Sequence, residues 1–246
     1  MFFLCIFALS TLIIMIKPTR FSEKTKLADL IANNGRLLQL LPRFGIALGF
    51  GDRSIAEVCR INNVNTALFI DICNIYSDDD FKPDLSKLDS ADMGGLLSYL
   101  KASHRHYLDE RFPHVEEHLQ RIIEASGYKY GPMLSHFYEQ YKQEVVRHIQ
   151  YYEEEVVFPY IEALHEGRKP DSYHIDEFRH NHTNIQDTLD DLMNILVKYL
   201  PGNILPSERI EISVDIMELS SDLSYHSRIE EDILIPFVES LENSLS

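Results

Sequence analysis

Four long amphipathic segments occupy the second half of the chain and restrict the folds available to it. They cover about residues 90–126, 132–166, 172–200 and 206–243. Each is about 30 residues long and has apolar residues at three- and four-residue intervals, and the first three end at glycine or proline. Ser207 can cap the last segment. Because short connections place long helices antiparallel to their neighbours, the pattern predicts an all-α fold containing an antiparallel, up-down four-helix bundle.

A smaller helical unit is predicted before the bundle. Its first helix can end at Asn34-Gly35, and a later helix has Asp52 or Ser54 as its N-cap. Glu57 stands three residues after Ser54, which is the spacing of a capping box. An acidic, proline-containing stretch then reads as a linker. The predicted division is an apolar run within residues 1–24, a small helical domain at 25–78, the linker at 79–89, and the bundle at 90–246.

The apolar N-terminus and the cysteines favour a cytoplasmic protein. Residues 2–16 form an uncharged run that is shorter than the roughly 20 residues of a membrane-spanning helix. The run lacks the basic region and cleavage site of a signal peptide, so we favour translation from Met15, with a signal or anchor as the alternative. Cys5, Cys59 and Cys73 have no C-x-x-C spacing. They therefore indicate neither a disulfide framework nor a thiolate zinc site.

Charge and histidine distribution point towards cations as ligands. The sequence has 23 Lys+Arg and 39 Asp+Glu, which gives a net charge of −16 at pH 7. Such a surface repels phosphate backbones, so we expect no nucleic-acid partner. All 11 histidines lie between His104 and His226. Metal chemistry, if present, is thus expected within the bundle.

A repeated segment carries the candidate chemistry. Residues 153–164 read EEEVVFPYIEAL and residues 230–241 read EEDILIPFVESL, and a histidine precedes each copy. In the second copy, His226 and Glu230 are at positions i and i+4, about 40° apart around a helix. An imidazole and a carboxylate on one face can hold a single metal ion. Bundle interiors use such pairs, from facing helices, to build di-metal sites.

The first copy of the repeat has a different spacing. His148 and Glu153 are five residues apart, about 140° around a regular α-helix. A π-bulge accommodates one extra residue, and such bulges are common at functional sites. We therefore predict that Glu153 is a ligand. Glu144, four residues before His148, is the alternative.

The first and third bundle helices are expected to supply one histidine each. His104 and His106 lie about 200° apart on their helix, as do His180 and His182, so only one of each pair can face the interior. His104 and His182 share their faces with apolar residues, whereas His106 and His180 align with polar ones. His104 and His182 are thus the predicted ligands. The other histidines are predicted to be surface groups: His106, His114, His118, His136, His165, His174 and His180.

Four imidazoles and two carboxylates suit iron, and also manganese or zinc. Six ligands exceed the four of a structural zinc site. They fit two ions, bridged by the two glutamates and a solvent-derived oxygen, with positions left open for O₂, NO or peroxide. The predicted metal ligands are His104, His148, Glu153, His182, His226 and Glu230.

Over about residues 25–243 the sequence resembles the hemerythrin-like di-iron proteins of the iron–sulfur cluster repair type (repair of iron centres). The motifs are ASH at His104, H…EEEVVFP from His148, the histidine at His182, and HSRIEEDILIP from His226. The resemblance implies two non-haem iron ions with oxo and carboxylate bridges. It implies a cytoplasmic role in oxidative and nitrosative stress defence, with damaged Fe–S proteins, O₂ or NO as partners. Iron donation or NO handling would restore the clusters.

The sequence departs from this family at one point and leaves alternatives open. Gly49-Phe50 stand where the family usually has a Cys-Cys pair, and Cys59 reads as a buried apolar residue rather than a substitute. One alternative is a hemerythrin-like O₂ or NO sensor or store without repair activity. Another is a structural bundle with incidental histidines. Enzymatic turnover and a homodimer stay open, and a membrane partner is not expected.

Overall fold

The chain folds into helices, as the sequence predicts. The described residues contain no strand, and their only β-pairing is an isolated bridge between Lys26 and Ser54. No described helix is both long enough and apolar enough to cross a membrane. The apolar run at residues 2–16 and the predicted ligand His182 lie outside the described residues. The structure is a computed structural model that describes residues 20–89, 91–170, 173–181 and 186–245.

Short helices make up the N-terminal region. They are α1 Leu27–Asn33, α2 Leu40–Arg43, α3 Ile55–Ile61 and α4 Thr66–Ile75, with a 3₁₀ turn at Gly35–Gln39 between the first two.

The capping box predicted at the start of α3 is confirmed. The Ser54 hydroxyl accepts a hydrogen bond from the Glu57 N–H at 3.3 Å, and the Glu57 carboxylate accepts one from the Ser54 N–H at 2.8 Å. Ser54 rather than Asp52 is therefore the N-cap of this helix.

Four long helices follow, and we number them in chain order. The first covers residues 92–126, the second 128–165, the third 175–199 where described, and the fourth 206–244. Short π-helical segments interrupt the first, second and fourth of these helices, and another ends the third. Their α-helical parts are α5 Asp92–Arg105, α6 Phe112–Arg147, α7 Phe158–His165, α8 Ile175–Asn181, α9 Gln186–Asn194, α10 Pro206–Ile229 and α11 Ile235–Ser244.

Gly127 separates the first two long helices, as predicted. Its φ of 59° and ψ of −164° are not helical, and a glycine adopts this conformation without a Cβ penalty. The two arms of α6 then run back along each other. The Tyr138 hydroxyl donates to the Phe112 carbonyl at 3.2 Å, and Gly131 lies against the backbone of Ile123. This hairpin forms half of the bundle.

The third and fourth long helices form the other half. The Arg209 guanidinium donates to the carbonyls of Leu196, through its Nε at 3.0 Å, and of Pro201 at 2.8 Å, which ties the fourth helix to the end of the third. The fourth helix begins at Pro206, directly after Leu205. The predicted N-cap Ser207 is wrong, because the preset φ of proline starts the helix one residue earlier.

Apolar packing divides along the length of the bundle. In the described residues, one buried cluster contains α1–α4, the starts of the first and third long helices and the ends of the second and fourth. A second cluster contains the remainder of the first and second long helices and the facing parts of the third and fourth. Both clusters meet at the level of His104, Glu153 and His226. The predicted ligands that the structure describes therefore form a polar layer between two apolar cores.

A buried ion pair ties α2 to the fourth long helix. Arg43 makes two hydrogen bonds to the carboxylate of Asp222, and the Tyr76 hydroxyl donates to the same carboxylate. The Arg43 and Asp222 side chains are only 2% and 9% exposed. The guanidinium lies 5.3 Å from the ring centre of Tyr107, which in turn packs against His226.

Candidate metal centre

The structure brings five of the six predicted ligands together in the bundle interior. His104 is on α5, His226 is near the end of α10, and Glu230 begins the π-helical segment that follows α10. His148 and Glu153 come from the π-helical segment of the second long helix. All five are buried, and the two glutamates have no exposed surface.

One group of three ligands forms around an oxygen of Glu153. The Oε2 atom lies 2.9 Å from His104 Nε2 and 3.6 Å from His226 Nε2. The two imidazole Nε2 atoms are themselves 3.3 Å apart. Two imidazole nitrogens and a carboxylate oxygen thus converge on a single point.

A second group of three forms around the other oxygen of the same carboxylate. Glu153 Oε1 lies 3.2 Å from His148 Nε2, and Glu230 completes the group. Within each group, the candidate ligand atoms lie within 4.8 Å of one another. His226 Nε2 is also 3.4 Å from Glu230 Oε1, which connects the two groups. Glu144, the alternative ligand, is exposed and belongs to neither group.

The local helix geometry explains why His148 and Glu153 meet despite their spacing. Residues His148–Val157 form a π-helical segment. Because a π-helix hydrogen-bonds residue i to residue i+5, residues five apart come close to one face. The predicted π-bulge is confirmed. A second π-helical segment, Glu230–Leu234, follows the regularly spaced His226 and Glu230, where the sequence spacing does not indicate one.

The sequence profile of one family, the hemerythrin HHE cation-binding domain, matches residues 95–238. The chain belongs to this family. Neither a curated protein nor a solved structure matches the chain. The match covers the first repeat segment, most of the second and every predicted ligand, so the hemerythrin-type cation-binding region coincides with the buried groups around Glu153.

Side chains outside the ligand set hold the hemerythrin-type histidines in place. The His104 Nδ1–H donates to Glu154 Oε1 at 2.9 Å, and the Phe158 ring stacks on the imidazole at 5.4 Å between centres. Tyr107 packs edge-on against His226 at 5.6 Å. Sequence reasoning missed Glu154, although its place directly after Glu153 in the repeat was the available signal.

Charges within the centre are strongly coupled. Burial lowers the pKa of His226, but Glu230 and Glu153 outweigh it and raise the pKa to about 10. Burial raises the pKa of Glu153, but the neighbouring His104, and after it His148 and His226, outweigh burial and hold this pKa well below its usual range. Protons on His104 and His226, whose pKa values are both raised, therefore balance the buried carboxylates when no cation is bound.

The donor set fits first-row divalent metals. Glu153 Oε1 is buried and, although His148 faces it, makes no hydrogen bond of good geometry. A buried carboxylate oxygen in this situation is costly unless a cation or proton compensates it. Imidazole nitrogens and carboxylate oxygens, without thiolate, are the ligands that suit iron, manganese or zinc.

The other histidines lie away from this centre. His114, His136, His165, His174 and His180 are exposed. His106 and His118 are half-buried, and His106 pairs with Glu110 on the outer side of the first long helix.

Proposed function

We propose that the chain is a non-haem di-iron protein. The observation that carries the proposal is the position of Glu153, whose two oxygens each face a separate buried group of ligands. A carboxylate between two such groups is placed to bridge two ions. Glu230 supplies the second carboxylate, and His182, predicted from the sequence, would complete the set of four histidines.

Bound iron would supply reversible coordination of small ligands such as O₂ or NO. The protein's own groups prepare for it. Glu153 and Glu230 offset part of the charge of two cations, while Phe158 and Tyr107 limit the movement of two of the imidazoles. His148 keeps 10% of its side chain exposed. This edge of the centre gives the site contact with solvent and favours exchange of ligands or iron.

Within this class, we propose that the protein acts in oxidative and nitrosative stress defence in the cytoplasm. It would restore damaged Fe–S proteins by donating iron or by handling NO. The resemblance of the motifs at His104, His148 and His226 to cluster-repair proteins supports this role. The half-exposed Glu154 beside His104 also supports it, because a centre close to the surface can release iron without global unfolding.

One observation favours the alternative of an O₂ or NO sensor or store. Gly49 adopts a φ of 93°, a conformation that residues with a Cβ rarely take, so a cysteine would be strained at this position. Cys59 and Cys73 are buried, and burial raises the pKa of the Cys59 thiol to about 11. Thiol-assisted iron delivery therefore has no exposed thiol in the described N-terminal helices.

Iron analysis with an optical spectrum tests the di-iron proposal. We expect close to two iron ions per chain after anaerobic loading, and oxo-bridged charge-transfer bands after oxidation. The His226→Ala variant should lose iron, because it removes an imidazole from the group around Glu153 Oε2. The matched His180→Ala variant, which changes an exposed histidine, should retain it. Fewer than about one iron per chain in the wild type would refute the proposal.

Recovery of a damaged Fe–S enzyme separates repair from sensing. The iron-loaded protein is incubated with an enzyme whose cluster has been damaged by NO, and the returning activity is followed. Repair predicts recovery with the wild type but not with the His226→Ala variant. A spectral response to NO without any recovery would favour the sensor or store.

A further inference from the structure

The Nδ1 atoms of His104 and His226, which point away from the centre, have different surroundings. His104 Nδ1 lies 2.9 Å from Glu154 Oε1. His226 Nδ1 is buried and has no hydrogen-bond partner among the described residues. A carboxylate therefore supports the His104 imidazole from outside the centre, whereas the His226 imidazole has only packing contacts on that side.

Two consecutive glutamates hold the His104 ring from opposite ends. Glu153 Oε2 is 2.9 Å from Nε2 on the inner side, and Glu154 Oε1 is 2.9 Å from Nδ1 on the outer side. The Phe158 ring stacks on the imidazole at an angle of 6° between the two planes, so it limits tilting of the His104 ring out of its plane. The ring orientation is thus determined by the π-helical segment and by the first turn of α7.

A carboxylate on the outer nitrogen has a defined chemical effect on a metal-binding imidazole. It keeps the proton on Nδ1, so that the lone pair of Nε2 points at the metal, and it makes the imidazole a stronger donor. Loss of such an outer partner typically lowers metal affinity about 10- to 100-fold.

We propose that Glu154 is a positioning residue of the metal centre. It acts through His104, directing Nε2 towards a first-row divalent cation and strengthening that bond, and it touches no metal itself. The inference rests on the proposed di-iron function. The Glu154 side chain is 41% exposed, so this residue can be replaced without opening a cavity in either apolar core.

The contact can be measured without metal. In the metal-free full-length chain with ¹⁵N-labelled histidine, the Nδ1 proton of His104 should give a downfield resonance correlated with its ring nitrogen. We expect this resonance in the wild type and in the matched control Glu155→Gln, which changes the exposed neighbouring carboxylate. It should be lost in Glu154→Ala. An unchanged resonance in Glu154→Ala would overturn the proposal.

Metal affinity provides the second readout. Ferrous iron is loaded anaerobically, and its affinity is determined by competition with a coloured chelator. We expect Glu154→Ala to bind about 10- to 100-fold more weakly than the wild type, and Glu155→Gln to match it. Glu154→Gln should fall between them, because its amide oxygen accepts the hydrogen bond without the charge. Wild-type affinity in Glu154→Ala would overturn the proposal.

These readouts also distinguish the role of Glu154 from the proposed di-iron function. Circular dichroism of the metal-free variants should match the wild type, and a Glu154→Ala variant with lower helix content would make Glu154 a structural residue, contrary to the proposal. If the wild type binds no iron, the proposed function fails, and the His104 resonance alone then decides whether Glu154 positions the ring.

Discussion

Replacing Arg43 with methionine tests the ion pair between the N-terminal helices and the bundle. Arg43 makes two hydrogen bonds to Asp222, and both side chains are nearly fully buried. Burial raises the pKa of Asp222, but Arg43 and the hydrogen bonds from Arg43 and Tyr76 outweigh it and lower the pKa below its usual value. The carboxylate is therefore ionised at neutral pH and depends on Arg43 for compensation.

The expected magnitude follows from this burial. Removing one partner of a buried pair leaves an uncompensated charge, which costs about 3–5 kcal/mol of unfolding free energy. The double variant Arg43→Met/Asp222→Asn removes both charges, and the asparagine oxygen still accepts from Tyr76. Its loss should be only about 1–2 kcal/mol, the net value of the hydrogen bonds that are lost.

Urea unfolding at pH 7 measures these free energies. The matched control is Arg60→Met, which replaces an exposed arginine on α3 and should change stability by less than about 0.5 kcal/mol. The double variant should be more stable than Arg43→Met. A loss below about 1 kcal/mol in Arg43→Met, or a double variant less stable than the single one, would refute the reasoning.

Three further predictions use other parts of the chain. Burial raises the pKa of Asp71 to about 6, so its stabilising contribution is complete below about pH 4 and is lost as the pH rises through 6. Asp71→Asn should therefore exceed the wild type in urea resistance at pH 8, by about 1 kcal/mol after allowance for solvent screening, and match it near pH 4. A Cβ at Gly131 would lie 2.7 Å from the Ile123 carbonyl oxygen, so Gly131→Ala should cost about 1–3 kcal/mol in thermal unfolding. Gly94→Ala, in open space on α5, should be neutral or stabilising, and equal effects at both glycines would contradict the packing argument. Iron at about 100 times its Kd should stabilise the wild type by about 2.7 kcal/mol and Glu153→Gln much less, as measured by calorimetry; equal stabilisation would exclude Glu153 as the shared ligand.

The helical pattern was sufficient to predict the fold because it is a local signal. Apolar spacing identified the four long helices, and Gly127 ended the first of them as expected. Comparison of the two repeat copies also predicted the π-helical turn between His148 and Glu153, since one copy contains an extra residue. The division into a small domain and a bundle stays a prediction, and the two regions share one buried cluster.

Long-range polar contacts were not predictable in the same way. Arg43 and Asp222 are 179 positions apart, and neither residue type suggests burial when read alone. Glu154 lies among three consecutive glutamates, a pattern typical of a solvated helix face. Only the orientation of the π-helical segment turns it towards His104. The fourth helix was expected to start near residue 206, and it does, but Ser207 was chosen as its N-cap because serine is a preferred N-cap residue, whereas the helix already begins at Pro206.

The polar layer between the two apolar cores has a consequence for local opening of the helices, which amide hydrogen exchange measures. The buried side chains of each core pack mainly among themselves. We therefore expect the helices to open locally at the level of Glu153 while the packing within each core is kept. Amide protons of residues 148–157 should accordingly exchange faster than those of the helices on either side. A bound cation would link Glu153 on the second long helix to His104 on the first and His226 on the fourth, and it should slow this exchange.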